Sequence, residues 1–516
     1  MTLRTSAVLA MLLLRPAPAV AAPEAFRCEK RGGSHWREYR SEHFAIDTDL
    51  APEDTRRLAQ ELEELHALEL QALVSEVVEI PGRVRVVALR DPRQFQDLAD
   101  DRFAAYQRAT ATEEIIVLQS KGLKVSPEMV GNTVALHLSE FLFPRRPWWF
   151  GMGLAYFVQT AAVPRKSELA KTGTLLARTG AGASGGRWVG LAPAELARDV
   201  RTLPLMPVRD LFSWHGQVDA AVVRRPNLSS WVLYHYLWNK QSRQFSEYQR
   251  RLSDGEAPAS AWRAAFPEYD PGDARALEKL DGELDRYRRG GRFTSYEVPL
   301  PSLEVRLEEA PLSTADLHVI MARARFVDSR EAVAQYKVEL DEALAEDPQH
   351  PEALGRRAQL DRKPTPDALR AAVKARPADW RAWYYLAQQL EAGDPAEREA
   401  SYRKAVALGP DAAAPHNALS WLLAESGRPR EALPFANRAV DLAPWNPAFV
   451  DTLAIVAREL GQCPQALQLA RRAMEAGAGG ELGRVLARHE EETRRRCDDS
   501  LPSSGSASAV PVPERP

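Results

Sequence analysis

The residues best suited to chemistry lie in GNTVALHLSEFL (residues 131–142), where His137 and Glu140 stand three apart. On a helix that spacing places an imidazole and a carboxylate on one face. A hydrolytic zinc needs more: two imidazoles four residues apart, a carboxylate beside the first to deprotonate the bound water, and a third ligand from elsewhere. With His137 taken as the second imidazole, the first position is Thr133 and the base position is Val134. Neither side chain can replace what is missing, and one imidazole is no cage for a cation. A rearranged metal site around His137 and Glu140 would still need a third ligand; a solvated or salt-bridged Glu140 is the simpler reading.

The next stretch, PWWFGMGLAYF (147–157), carries Pro147, Trp149, Gly153, Leu154 and Ala155, followed by Tyr156 and Phe157. With the His137 helix and the opening segment YRSEHFAIDTD (39–49), it resembles the peptidase MA-like gluzincins. There the third zinc ligand is a Glu within a stretch of the form Pro-x-Trp-Leu-x-Glu-Gly-Leu-Ala. The resemblance spans roughly residues 36–290 and sets Met152 at the Glu position. It implies an α+β half, a small mixed sheet plus helices, whose zinc motif is degenerate at Thr133, Val134, His137 and Met152. No zinc, no other cofactor and no catalysis are then expected. The former cleft should be dry and packed, because carboxylates buried without a cation are costly. His137 becomes a buried, hydrogen-bonded and inert histidine.

The elements that would position these residues follow from periodicity. Residues 39–49 alternate as a half-buried strand, and Leu58, Leu62, Leu65, Leu68 and Ala72 make one stripe of a helix over 52–76. Strands are expected over 83–89 and 114–119, and helices over 91–99 and 127–142. This α/β subdomain (36–160) gives way to a helical subdomain (161–295) with segments at 229–239, 247–252 and 274–288. The stretch TGAGASGGR (179–187) satisfies the dinucleotide and nucleophile-elbow patterns literally. It lacks the strand-to-helix turn that both require, and so reads as a loop. The tryptophans 148, 149, 188, 214 and 231 read as core. A Pro-rich segment at 298–302 marks a boundary.

From 312 to 478 the pattern is helical and repeats. Ala343, Ala372, Ala405, Ala439 and Ala473 fall at intervals of 29, 33, 34 and 34 residues, and Pro348, Pro377, Pro410 and Pro444 each stand five residues after one of them. A period of 34 with small residues at the helix crossing resembles tetratricopeptide repeats, hence an all-α solenoid for the C-terminal half. Such repeats line a groove with the first helix of each pair. On that phase Tyr384, Gln388, Asn417, Trp421, Asp451 and Arg458 are candidate binding residues for a protein or peptide. A charged capping helix (481–496) and a Ser- and Pro-rich disordered tail (497–516) follow.

Composition sets the outer bounds. At 516 residues, with 45% hydrophobic and 27% charged residues and a net charge of −3, the chain fits two or three soluble domains and disfavours a nucleic-acid partner. Residues 1–21 carry Arg4, an apolar run from Ala7 to Leu14 and the small-residue exit Ala19-Val20-Ala21, the layout of a signal peptide. Export to a periplasmic or extracellular location is expected, with no transmembrane span and no lipidation at Cys28. Cys463 and Cys497 read as inert thiols, with pairing as the alternative in an oxidising compartment. The combined reading is an exported pseudopeptidase with a helical-repeat scaffold for binding protein or peptide. The alternative is an active exported hydrolase using His137 and Glu140.

Overall fold

The computed structural model describes residues 36–73, 78–98, 105–109, 113–119, 127–162, 187–193, 196–214, 220–299, 302–325, 329–390, 394–477 and 480–500. The leader, Cys28, most of the glycine-rich stretch and the tail beyond Ser500 lie outside the described residues.

Among the described residues there are eight strands: β1 (Arg37–Arg40), β2 (Phe44–Thr48), β3 (Val84–Leu89), β4 (Ala105–Ala109), β5 (Glu114–Gln119), β6 (Arg187–Val189), β7 (Tyr296–Val298) and β8 (Glu308–Pro311). The strand expected over 39–49 is in fact a hairpin, with Arg40 opposite Ala45 and Ser41 N–H donating to the Phe44 carbonyl at 2.9 Å. Six strands form a mixed sheet in the order β4-β5-β3-β2-β1-β8, in which β2, β3 and β5 run parallel. The first helices are α1 (Pro52–Leu73), α2 (Pro92–Leu98), α3 (Pro127–Leu142) and α4 (Trp148–Val158).

The central strands are apolar on both faces, which demands a cover on each. Val86, Ala88, Ile116 and Leu118 face a core shared with α1, α3 and α4. Val87, Leu89, Ile115 and Val117 face Phe95 and Leu98 of α2 on the other side, together with Leu317, Ile320, Met321 and Ala324 of the helix Thr314–Ala324. That helix is the first of the repeat region, and its opposite face (Ala315, Val319, Ala322) packs on Leu340, Ala343 and Ala353. The sheet and the repeats therefore share a helix. The boundary expected at 298–302 falls inside this arrangement, since β8 beyond it pairs with β1.

An ion-pair network reinforces the join. Arg85 reaches Asp47 at 2.7 Å, Glu38 at 3.0 Å and Glu113 at 3.0 Å; Glu113 also pairs with Arg323, and Arg323 approaches Glu352 at 3.6 Å. Buried charges at such density are tolerated because Arg85 meets three carboxylates and Glu113 meets two arginines.

In the helical subdomain an aromatic core of Trp149, Phe150, Phe157, Trp231, Tyr234, Tyr248 and Trp262 joins α4 to the helix Ala220–Lys240. Gly153 permits that crossing: a Cβ there would stand 2.6 Å from the Ser230 carbonyl oxygen and 2.7 Å from Tyr234 Cβ. Much of the 147–157 pattern is thus accounted for by close packing.

Beyond 313 the described residues form five helix pairs: 314–324 with 330–346, 351–361 with 366–375, 380–389 with 395–408, 413–425 with 429–442, and 447–459 with 463–476. Ala343, Ala372, Ala405, Ala439 and Ala473 are fully buried. The helix Gly480–Ser500 closes the array and extends past residue 496. The cysteine reading needs correction, because a disulfide joins Cys463 to Cys497. It fastens the terminal helix to the second helix of the last pair.

Candidate functional site

His137 projects from α3 into a pocket of 60 Å³ that no pattern in the sequence announced. Its lining combines His43 from the β1–β2 turn, His66 from α1, and Glu113 and Glu114 at the start of β5 with Leu442, Trp445, Asn446 and Phe449 of the repeats. The parallel strands β2, β3 and β5 present their N-terminal ends here, which is why residues far apart in sequence meet. His137 Nδ1 hydrogen-bonds Glu114, whose other oxygen accepts from Gln107. His43 N–H and Nδ1 contact the two oxygens of Glu63 at 2.9 and 2.7 Å. The His43 and His66 rings stack with centroids 3.9 Å apart. Burial, and then the neighbouring His43 and His137, push His66 down to about 3, so it is neutral at ordinary pH.

The roof comes from the repeats. Trp445 lies edge-on to Phe141 at 5.0 Å and to His137 at 6.2 Å between ring centroids. Arg145, just past α3, pairs with Glu475 of the last helix pair. The space beside His137 is thus a small pocket lined by three histidines and two glutamates.

Thr133, Val134 and Met152 lie elsewhere. Thr133 is buried and its hydroxyl donates within α3, to the carbonyls of Met129 at 3.1 Å and Val130 at 2.9 Å. Val134 is fully buried in the main core, and Met152 packs against that core from α4. None of the three lines the His137 pocket. Glu140 pairs with Arg146 at 3.1 Å, while His137 bonds Glu114 instead. Burial nevertheless pushes the Glu140 carboxyl above its usual range. Among the described residues no group of three or more His, Cys, Asp or Glu converges as a metal would need.

The six groove candidates divide into two sets. Asp451 hydrogen-bonds His489 at 2.6 Å, and Arg458 reaches Thr493 and Glu492 at 3.5 Å, all from the terminal helix. Trp421 stands 5.9 Å from the His489 ring. The chain's own last helix therefore covers this end of the groove. At the other end Tyr384 is buried and accepts from Gln388 at 2.7 Å, and Gln388 in turn accepts from Gln359 at 2.7 Å. Gln388, Asn417 and Trp421 line an open groove with Arg362, Lys363, Arg370 and Arg398. Sequence phase found the first three. The four cations lie on turns and second helices, outside the rule that selects first-helix positions.

No family model matches the chain, and no curated protein is similar to it. Solved tetratricopeptide-repeat structures overlap about a third of it. A thermophilic TPR protein of Thermus thermophilus, TTC0263, is 18% identical, with a TM-score of 0.29 over 34% of this chain and 98% of its own. MamA is 14% identical, with a TM-score of 0.24 over 32% of this chain and 92% of its own. YrrB, described as a TPR protein with an unusual peptide-binding site, is 17% identical, with a TM-score of 0.25 over 34% of this chain and 92% of its own. The C-terminal region is a helical-repeat array of this general kind, as its successive helix pairs and buried alanines show.

Proposed function

We propose that the chain is an exported, non-catalytic protein. Its N-terminal module is built like a gluzincin-type peptidase that has lost its zinc site, and its repeats form a scaffold that binds a protein or peptide. One observation carries the reading: His137, the only histidine of α3, is held by Glu114 and roofed by Trp445 of the repeats. The pocket beside His137, 60 Å³ beneath the repeats, is too small for a peptide substrate, and Val134 leaves no carboxylate beside the first ligand position to activate an attacking water. The groove beside Asn417 and Trp421 stays open. Export rests on the leader-like residues 1–21 and suits the Cys463–Cys497 disulfide, which favours an oxidising compartment.

Two measurements on the purified chain test this. Casein or a peptide library should not be cleaved, with or without a chelator. Chelator-sensitive cleavage that disappears in His137→Ala would replace the scaffold reading with the hydrolase built on His137 and Glu140. A random-peptide array should retain the chain, and mutation of Asn417 and Trp421 should release it.

A further inference from the structure

The repeats touch the sheet module at two places of unequal strength. At the start of the array the helix Thr314–Ala324 is buried along nearly its whole length between the sheet and the following helices, and β8 adds a strand to the sheet itself. The contact at the far end is small. Trp445 meets Phe141 and His137, and a Cβ at Gly82 would stand 3.7 Å from Leu442 Cδ2. Arg145 pairs there with Glu475, whose side chain is 52% exposed.

Open space surrounds this far contact. A cleft of 640 Å³ lies between Arg40 and Arg85 of the sheet and Arg376, Trp380 and Arg381 of the repeats. A second, of 810 Å³, lies between Glu42 and Glu79 on one side and Arg438 and Arg472 on the other. The pocket at His137 is a hollow within the contact itself. A large apolar interface fixes two bodies, whereas a small one with gaps lets them move, and an exposed ion pair adds little to hold them.

Beneath Trp445 lie unpartnered nitrogens. His43 and His137 each engage a carboxylate through Nδ1, and His66 is stacked on His43. Neither Nε2 of the first two, nor either ring nitrogen of His66, bonds another described residue. His66 and His137 are nonetheless only 4% and 3% exposed. Their nitrogens meet a solute freely once the cover lifts.

We infer that the repeats are a hinged lid over the histidine pocket, swinging on the helix Thr314–Ala324 and latched at Trp445, so that His66 and His137 are presented to solvent in an open state. Opening supplies no carboxylate at Val134 and restores no zinc chemistry. The lid is also independent of what the repeat groove binds, so its failure would leave the scaffold reading standing.

The test times the acylation of each histidine in the full chain by diethyl pyrocarbonate at pH 7, read by peptide mass spectrometry. The reagent attacks a neutral imidazole at a free nitrogen. Burial holds His66 down at about 3, so it is in the reactive form. His235 reports global unfolding, being fully buried in the helical subdomain with its two nitrogens bonded to Tyr287 and Gly190. His66 and His137 should react more slowly than N-acetylhistidine and at least about tenfold faster than His235, because opening the lid needs less than unfolding the module. Trp445→Ala should speed both by more than about tenfold, and Glu475→Gln, which removes an exposed ion pair, by about two- to fivefold. His235 should keep its rate in both variants. If Trp445→Ala unfolds the chain, His235 speeds up with the others, and the milder Glu475→Gln then carries the comparison. Rates of His66 and His137 that follow His235 in every protein would overturn the lid, since only unfolding would then expose them. Rates equal to that of N-acetylhistidine in the wild type, or unmoved by either substitution, would overturn it as well.

Discussion

The indole of Trp445, on the turn between two repeat pairs, lies edge-on to the His137 imidazole with ring centroids 6.2 Å apart. A helix of the N-terminal sheet module and a repeat far along the chain are thus one packing unit. Trp445 is half-buried and also touches Phe141. Trp445→Ala should cost about 3 kcal/mol, the low end for deleting a large aromatic, and should speed hydrogen exchange in α3 as well as in the helix Pro447–Glu459. Faster exchange confined to the repeats would mean that the two modules do not support each other through this residue.

Acid should weaken the fold through two buried histidines. Burial drives His66 down to about 3 and His235 down to about 4. Both are neutral in the folded and unfolded chain above about pH 6.5, the ordinary histidine value, so neither adds pH dependence there. Below it the unfolded chain takes up protons that the folded chain refuses, and stability falls until the folded values are reached. Each histidine contributes a slope approaching about 1.4 kcal/mol per pH unit in that window. Urea midpoints measured between pH 7 and pH 4 should fall, and His66→Gln should flatten the curve. A midpoint unchanged down to pH 5 would contradict the buried neutral assignment.

The sequence made the interior of the sheet legible and left its edges hidden. β3, β5 and α3 follow from runs such as RVRVVAL and EIIVLQ, where burial on both faces leaves long apolar stretches. The edge strands β4 (AYQRA) and β8 (EEAP) carry few apolar residues, as exposed edges do, and have no comparable signal. The repeat alanines were readable because close helix crossings allow little else. The histidine pocket was not, because His43, His66 and His137 come from three elements whose meeting is a consequence of sheet order. Glu113 was equally hidden: its role depends on Arg85 and Arg323, one on a neighbouring strand and the other on the shared helix.

Glu69 is a second consequence of burial. It is fully buried on α1, and neither carboxylate oxygen has a hydrogen-bond partner among the described residues. Burial alone raises its titration well above the usual carboxylate range. At low pH the group is neutral in both states; as pH rises past the ordinary value the unfolded chain ionises while the folded chain stays protonated, and stability is lost. Glu69→Leu should therefore stabilise the protein by about 1–3 kcal/mol at neutral pH, with a larger gain at pH 8 than at pH 4. Paired melts of the wild type and the variant at the two pH values check this, and a destabilised variant at both would show that the carboxyl has a partner.

Reduction should uncover one end of the repeat groove. The Cys463–Cys497 bond spans 34 residues, a loop for which chain entropy gives about 3–4 kcal/mol of stabilisation. It holds the terminal helix where His489 bonds Asp451 and lies beside Trp421. Loss of the bond in Cys497→Ser, or under dithiothreitol, removes that restraint while the alanine crossings of the earlier pairs remain. The terminal helix should then detach first, with Trp421 emission shifting to the red before the main thermal transition. His489→Ala in the oxidised protein separates the two causes: it removes the contact and keeps the tether, so its red shift should be smaller. If reduction leaves both Trp421 emission and the melting curve unchanged, the packing of Leu486 against Val450 and Ala473 is sufficient to hold the terminal helix in place without the covalent link.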